Sequence, residues 1–127
     1  MNSSSVSVAK IAELLDLKNF TDEIDLKKRK ITTTDINRPA LQLTGYFEHF
    51  EESRVEIIGN VEYAYIQQMS DEEKRIRYDA FLKFDIPCVI FSRNLTPDPI
   101  FLKEAFANHV PVLGTGRSTS EFTAELI

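Results

Sequence analysis

The sequence has 127 residues, 43% of them hydrophobic and 28% charged, which suits one domain that buries a core without disulfide or metal cross-links. Its 15 basic and 20 acidic side chains give a net charge of −5, which argues against a broad nucleic-acid interface because such domains are usually basic. Cys88 is the only cysteine, so no internal disulfide forms, and a reducing, cytoplasmic location is expected. No apolar run reaches the length of about 18 residues typical of a membrane span, and residues 1–5 lack the features of a signal peptide.

The first half of the chain predicts short elements. A helix is predicted over about residues 6–15, with Ser5 or Ser7 as its N-cap, because four apolar residues recur at helical spacing: Val8, Ile11, Ala12 and Leu15. Residues 31–34, Ile-Thr-Thr-Thr, favour a strand because they are β-branched. Residues 41–43 are expected to form an extended piece or a short helix.

The second half of the chain alternates apolar strands with amphipathic helices. Strands are predicted at residues 54–59, 87–91 and 110–113. Helices are predicted at residues 61–69 and 99–109, and from residues 70 and 118 onward. This order predicts a layered α/β fold, with a mixed or at least partly parallel sheet and flanking helices.

The starts of these helices are marked by capping signals. Ser70–Glu73 and Ser118–Glu121 are capping boxes, Asn60 is the expected N-cap of the helix over 61–69, and Pro99 suits a first helical turn. The helix after Ser70 is expected to turn one apolar face inward: Ile76, Ala80, Phe81 and Phe84.

The loop Gly114–Ser118 is the first candidate for a binding site, because it follows a strand and precedes a helix whose exposed amides attract anions. The dinucleotide-binding pattern requires a third glycine or alanine where Thr119 stands, and the phosphate-loop triplet Gly-Lys-Ser/Thr does not occur in the sequence. A plain turn into a capped helix is therefore the favoured interpretation, with a phosphate or nucleotide site as the alternative. The candidate contact residues in the loop are Gly114, Gly116 and Arg117.

No catalytic, cofactor-binding or metal-binding set emerges from the remaining reactive side chains. His49 and His109, with a single cysteine, lack the ligand spacing of a zinc site. Cys88 stands in an apolar segment and is more simply a core residue than a nucleophile. The basic run Lys27–Lys30 is more simply a solvated face than a phosphate-binding surface, and nucleic-acid binding through it is the weakest of the functions considered.

The last predicted helix begins at a capping box but has no C-terminal stop signal, because neither glycine, proline nor a basic last turn closes it. We therefore expect the chain to continue beyond Ile127, with this helix as the connector to a further domain.

Several segments resemble, in order, the N-terminal domain of bacterial HPr kinase/phosphorylase. The most specific of them is residues 37–46, Asn-Arg-Pro-Ala-Leu-Gln-Leu-Thr-Gly-Tyr. The other matching segments, which bring the resemblance to nearly the whole chain, are residues 7–10, 31–36, 55–62, 86–93 and 110–115.

The resemblance implies an enzyme that uses ATP or pyrophosphate, with Mg, to phosphorylate a serine of the phosphocarrier HPr, and that removes this phosphate by phosphorolysis in carbon catabolite repression. It places the phosphate loop, the catalytic histidine and the HPr-facing signature in a C-terminal domain beyond Ile127. Residues 1–127 are thus expected to be a non-catalytic N-terminal domain without a cofactor of its own. The resemblance also implies a homohexamer, and a fold similar to the N-terminal domains of Mur ligases.

Asn37 and Arg38 are the remaining candidates for a ligand or interdomain contact. The favoured interpretation is structural, with Pro39 fixing the turn, Arg38 capping or pairing locally, and the leucines packing. The alternative function for the whole chain is a free-standing regulatory module of similar fold, which binds a small ligand and holds an anion at Gly114–Ser118.

Overall fold

The structure is a computed structural model that describes residues 5–126. Six α-helices and seven strands are found in that range, with one 3₁₀ turn at Leu26–Lys28. The strands are β1 Val6–Ser7, β2 Lys18–Asn19, β3 Lys30–Ile31, β4 Ile36–Asn37, β5 Val55–Ile58, β6 Val89–Phe91 and β7 Val112–Gly114. The helices are α1 Val8–Leu14, α2 Ala40–Leu43, α3 Asn60–Gln67, α4 Asp71–Leu82, α5 Pro99–Asn108 and α6 Thr119–Leu126.

The main sheet has five strands in the order β2-β7-β6-β5-β4. Strands β4 to β7 are parallel neighbours, and β2 pairs antiparallel with β7 at one edge. A separate antiparallel pair joins β1 to β3. The sequence prediction of an α/β fold with a mixed, partly parallel sheet is therefore confirmed.

Both faces of the sheet are covered by helices. On the first face the buried residues of α2, α3, α4 and α5 pack against Ile58, Val89 and Phe91. On the second face, Val8 of α1 and Phe122 of α6 pack against the side chains of β5, β6 and β7 that point to that face, namely Ile57, Ile90 and Leu113. This arrangement explains the nearly continuous apolar runs in the strands, since neighbouring residues face opposite cores.

Helix capping agrees with the sequence signals in three places. Ser7 accepts from the amide of Lys10 at the start of α1. Ser70 and Glu73 exchange hydrogen bonds at the start of α4, and Ser118 and Glu121 do so at the start of α6. These hydrogen bonds give partners to backbone amides at the start of each helix that have none within the helix.

Several predicted bounds were wrong. Residues 6–7 are a strand because they pair with residues 30–31, and this short pairing also ends β3 before the predicted threonines. Helix α3 begins at Asn60, since the Glu62 carboxylate accepts from the Gly59 amide at 2.7 Å and makes Gly59 the N-cap. Helix α6 is described to Leu126, and Ile127 lies outside the described residues.

The inward face of α4 was predicted only in part, since Phe81 is buried and Phe84 packs against the core as expected, but Ile76 does not face inward. Ile76 is 59% exposed, whereas Tyr78, Phe81 and Leu82 are buried. The helix turns this way because the Tyr78 hydroxyl donates to Asp98 at 2.7 Å, which gives a buried phenol its hydrogen-bond partner.

No helix in the described range is both long and apolar enough to cross a membrane.

Candidate functional site

The carboxyl ends of β6 and β7 meet at a topological switch point. The helix after β6 is α5, on the first face of the sheet, whereas the helix after β7 is α6, on the second face. The two connections therefore diverge and leave a crevice between adjacent strands. Open α/β sheets characteristically bind ligands in such a crevice.

A cleft of about 200 Å³ lies at this switch point, and we call it the switch-point cleft. Gly114, Thr115 and Gly116 form one wall, and the turn from Asn94 to Thr96 after β6 forms another. The third wall comes from the segment around β2: Asp16, Lys18 and Phe20. The Lys18 ammonium lies 5.0 Å from the centroid of the Phe20 ring. The cleft thus brings together one cation, one carboxylate, an amide and two hydroxyl groups beside an aromatic ring.

The two glycines of the loop are explained by close approach of other groups. A Cβ atom on Gly114 would lie 2.6 Å from the Phe20 ring, and one on Gly116 would lie 3.2 Å from the Asn94 amide. Glycine is thus needed at position 114 for β2 to close the sheet edge over β7. Since packing accounts for this glycine, it is not by itself evidence of a bound phosphate.

Most of the amides in the loop already have internal partners. The Thr115 amide donates to the Phe91 carbonyl at 2.9 Å, and the Arg117 amide donates to the Thr115 hydroxyl at 3.2 Å. The Ser118 amide donates to the Glu121 carboxylate at 2.9 Å. Hydrogen bonds from Ser118 lower the pKa of Glu121, so the first turn of α6 holds its own anion.

Arg117 points into the domain rather than across the switch-point cleft. Its guanidinium donates to the Leu15 carbonyl at 2.8 Å, to the Thr115 hydroxyl at 3.2 Å and to Glu125 at 2.7 Å. These contacts tie the end of α1 to the loop and to α6. The geometry therefore gives this sequence-predicted contact residue a structural role.

Asn37 and Arg38 lie away from the switch-point cleft, and each contacts one buried glutamate. Asn37 donates to Glu56 at 2.7 Å and to Gln42 at 3.0 Å. Arg38 donates to Glu62 at 2.8 and 3.1 Å. The motif thus holds β4 and α2 against β5 and α3. Arg38 was expected to cap or pair locally, but its partner is Glu62 of α3, 24 residues along the chain.

Glu56 is one of the two buried glutamates, with Glu62, that sequence reasoning missed. It lies fully buried in β5, between β6 and the edge strand β4, and its Oε2 atom has no hydrogen-bond partner among the described residues. Burial raises the pKa of Glu56 to about 8, against the lowering effects of the Asn37 hydrogen bond and the Arg54 charge. The signal that was overlooked is a glutamate flanked on both sides by residues of a buried strand.

The other reactive side chains give no further site. Cys88 is fully buried, and burial raises its pKa to about 12, which confirms a core residue rather than an activated thiolate. Of the basic run, Lys27, Lys28 and Lys30 are exposed, while Arg29 donates to Asp85 at 2.7 Å. Within residues 5–126 no three His, Cys, Asp or Glu side chains gather as a metal site would require.

The fold and the switch-point crevice define the chain as a three-layer α/β domain, and a solved structure shares that fold. It contains the CBS and DRTGG domains of the regulatory region of Clostridium perfringens pyrophosphatase, complexed with diadenosine tetraphosphate as activator. The TM-score is 0.65 at 15% identity, over 94% of this chain and 45% of the other. At this identity the match supports the fold and not a shared ligand.

The family is shown by sequence. The family profile described as "HPr Serine kinase N terminus" matches residues 6–127. An HPr kinase/phosphorylase from Lachnoclostridium phytofermentans is 42% identical over 97% of this chain, and one from Latilactobacillus sakei is 33% identical over 94%. The chain belongs to the HPr serine kinase N-terminal family. It spans 40% of the first relative's length and 38% of the second's.

Proposed function

We propose that this chain is the non-catalytic N-terminal domain of a bifunctional HPr kinase/phosphorylase. The proposal rests on the family match across residues 6–127, which covers nearly the whole chain, whereas the chain spans only 40% of the Lachnoclostridium relative. In this proposal one domain occupies residues 1–127, and α6 connects it to the catalytic part.

The chemistry of the proposed enzyme lies in that other part. It transfers phosphate from ATP or pyrophosphate, with Mg, to a serine of HPr, and removes it again by phosphorolysis, in control of carbon catabolite repression in the cytoplasm. Phosphoryl transfer needs a phosphate cradle together with groups that bind the metal. The loop Gly114–Ser118 is a poor cradle because most of its amides are bonded internally.

The domain itself serves assembly or regulation in this proposal, within a homo-oligomer that the family resemblance puts at a hexamer. The resemblance to the N-terminal domains of Mur ligases belongs to the same proposal. The hydrogen bonds of Asn37 with Glu56 and Gln42 and of Arg38 with Glu62 support a scaffolding role, because they join β4, β5, α2 and α3 into one unit.

A shortened form of the Lachnoclostridium relative tests this division of labour. If the residues that match this chain are deleted, the remaining protein is expected to transfer phosphate from ATP to HPr, because no catalytic group has been removed. The readout is phosphoserine on HPr, with circular dichroism as the check of folding. A shortened protein that is folded but inactive would contradict the proposal.

We retain one second candidate function, a small polar ligand bound in the switch-point cleft. It is supported by the position of the cleft where ligands bind in open α/β sheets and by Lys18, Asn94 and Thr96 in its walls. Titration with inorganic phosphate or a nucleotide at millimolar concentration, followed by melting temperature, tests it. A rise that the variant Lys18→Ala abolishes supports a site, and no rise for either ligand removes the support for an anion there.

A further inference from the structure

The switch-point cleft carries one charge of each sign, and neither charge is paired within the protein. The Lys18 ammonium and the Asp16 carboxylate both line the cleft. Neither group forms an ion pair with the other or with any further residue in the described range 5–126. Both charges can therefore pair with a ligand, and the walls of the cleft together carry no net charge.

The backbone holds the polar groups of the cleft in fixed positions. Asp16 and Asn94 have φ angles of 54° and 59°, in the left-handed region that aspartate and asparagine adopt more readily than other residues with a side chain. The Asn94 amide donates to the Thr115 carbonyl at 2.9 Å, and the Asp16 amide donates to the Glu13 carbonyl at 3.3 Å. A ligand therefore meets walls that are already ordered, which lowers the entropic cost of binding.

The charges of the cleft disfavour a simple anion as its ligand. The amides of Thr115, Arg117 and Ser118 are bonded internally, so the loop does not offer the free amides that hold a phosphate. An anion paired with Lys18 would also lie in the same cleft as the Asp16 carboxylate, which repels it. A ligand with charges of both signs avoids this repulsion.

A neutral ligand that stacks on the aromatic ring is disfavoured by the surroundings of Phe20. The Lys18 ammonium lies 5.0 Å from the centroid of the ring, and an added Cβ atom on Gly114 would lie 2.6 Å from the ring edge. Phe20 also packs against the core of the first face. The ring therefore offers little stacking surface, and a neutral ligand would leave both charges of the cleft without an oppositely charged partner.

The size of the cleft favours a small ligand. Its volume of about 200 Å³ is below the range of about 300–1,000 Å³ that is typical of pockets for drug-sized molecules. Asn94 and Thr96 add exposed hydrogen-bonding groups to one wall. A free α-amino acid with a small side chain is a molecule of suitable size that carries an ammonium and a carboxylate side by side.

We propose that the switch-point cleft binds a small free α-amino acid in its zwitterionic form. The carboxylate of the ligand pairs with the Lys18 ammonium, and the ammonium of the ligand pairs with the Asp16 carboxylate. Asn94 and Thr96 hydrogen-bond to its remaining polar atoms. This inference rests on the second candidate function, a small polar ligand in this cleft, and it names the chemical class of that ligand.

The position of the cleft suits a regulatory ligand. Leu15, whose carbonyl accepts from Arg117 at 2.8 Å, directly precedes Asp16. Arg117 also donates to Glu125 in α6 at 2.7 Å. In the proposed enzyme α6 connects this domain to the catalytic part, so the bound amino acid lies beside the contacts that hold this connection.

Titration of the 127-residue chain with matched small molecules, followed by two-dimensional NMR, tests the ligand class. L-alanine carries both charges, whereas propionate lacks its ammonium and ethylamine lacks its carboxylate. L-alanine at millimolar concentration is expected to shift the amide signals of Lys18, Asn94 and Gly116 to saturation. Propionate and ethylamine are each expected to bind about fivefold more weakly, because each leaves one charge of the cleft unpaired.

Two substitutions that keep the size of the side chain assign the two charges. Asp16→Asn is expected to weaken the binding of L-alanine about fivefold without weakening that of propionate, and Lys18→Gln to do the same without weakening that of ethylamine. Both positions are exposed, and asparagine suits the left-handed backbone at position 16, so the variants fold. Glu13→Gln and Lys10→Gln are the controls, because they remove the same charges from exposed positions on α1 outside the cleft.

The outcomes separate the ligand class from the existence of a site. An absence of shifts with L-alanine, glycine and L-serine overturns the inference, and so does an equal loss of binding in the control variants. Equal binding of propionate and L-alanine also overturns it, but leaves the second candidate function standing, since the cleft then holds an anion. If inorganic phosphate and all the amino acids fail to bind, both the inference and the second candidate function are overturned.

Discussion

Replacement of Glu56 by glutamine is expected to remove a pH dependence from the stability of the domain. The carboxyl titrates near 4.5 in the unfolded chain and near 8 in the fold, where burial raises its pKa. Between these values the folded state holds a proton that the unfolded state has released. The free energy of unfolding of the wild type therefore falls as pH rises from about 4.5 to about 8.

The size of this effect is a few kcal/mol, since each unit of pKa difference corresponds to about 1.4 kcal/mol. In the Glu56→Gln variant, the carboxyl group is replaced by an amide of the same shape, which is neutral at every pH. At pH 9 the variant is expected to exceed the wild type in stability by a few kcal/mol, and at pH 5 the two are expected to differ little. Urea unfolding at both pH values, followed by circular dichroism, measures the difference.

Glu62→Gln is the matched control, because Glu62 is also a buried glutamate but accepts two hydrogen bonds from Arg38 and one from Gly59. This variant is expected to be less stable than the wild type at pH 7, since it weakens those bonds. A constant difference between Glu56→Gln and the wild type from pH 5 to pH 9 would contradict the assignment of the pH dependence to Glu56.

Phe101→Ala is expected to cost about 4 kcal/mol of stability, which is typical of a large side chain lost from a packed core. Phe101 is fully buried on α5. Its ring meets the Tyr78 ring edge to face at 4.8 Å between centroids and the Phe91 ring at 5.1 Å. The substitution therefore removes the contact that joins α4, α5 and β6 on the first face of the sheet.

The same substitution at Phe106, on the same helix but only partly buried, is the control, and about half that loss or less is expected there. Both values come from urea unfolding at one pH. Equal losses of stability at the two positions would show that Phe101 is not the centre of the packing on the first face of the sheet.

The part of the fold that sequence predicted best is the region of β5 to α6. There, apolar runs and capping residues indicate strands and helix starts from the local sequence alone. Ser70 and Glu73, for example, predict the first residue of α4 correctly. The face of α4 was predicted only in part, with Phe81 correct and Ile76 wrong, because the orientation of the helix depends on a distant partner. Tyr78 is drawn inward by Asp98 at the start of α5, a contact that periodicity alone does not contain.

The candidate site was predicted in part. The loop Gly114–Ser118 was located correctly, because a strand followed by a capped helix places such a loop at the carboxyl edge of the sheet. The opposite wall of the switch-point cleft was not predicted. Lys18 lies in the edge strand β2 and Phe20 directly after it, and β2 pairs with residues far along the chain. The buried carboxylates Glu56 and Glu62 were missed for the same reason, as their partners belong to another segment of the chain.

The proposed division of labour requires that this chain contain no catalytic apparatus of its own. The direct test is to incubate the 127-residue chain with HPr, ATP and Mg and to measure phosphoserine on HPr, beside the intact Lachnoclostridium relative as the active control. We expect phosphoserine with the relative and none above background with this chain, even at high chain concentration. Phosphorylation of HPr that rises in proportion to the amount of this chain would contradict the proposal.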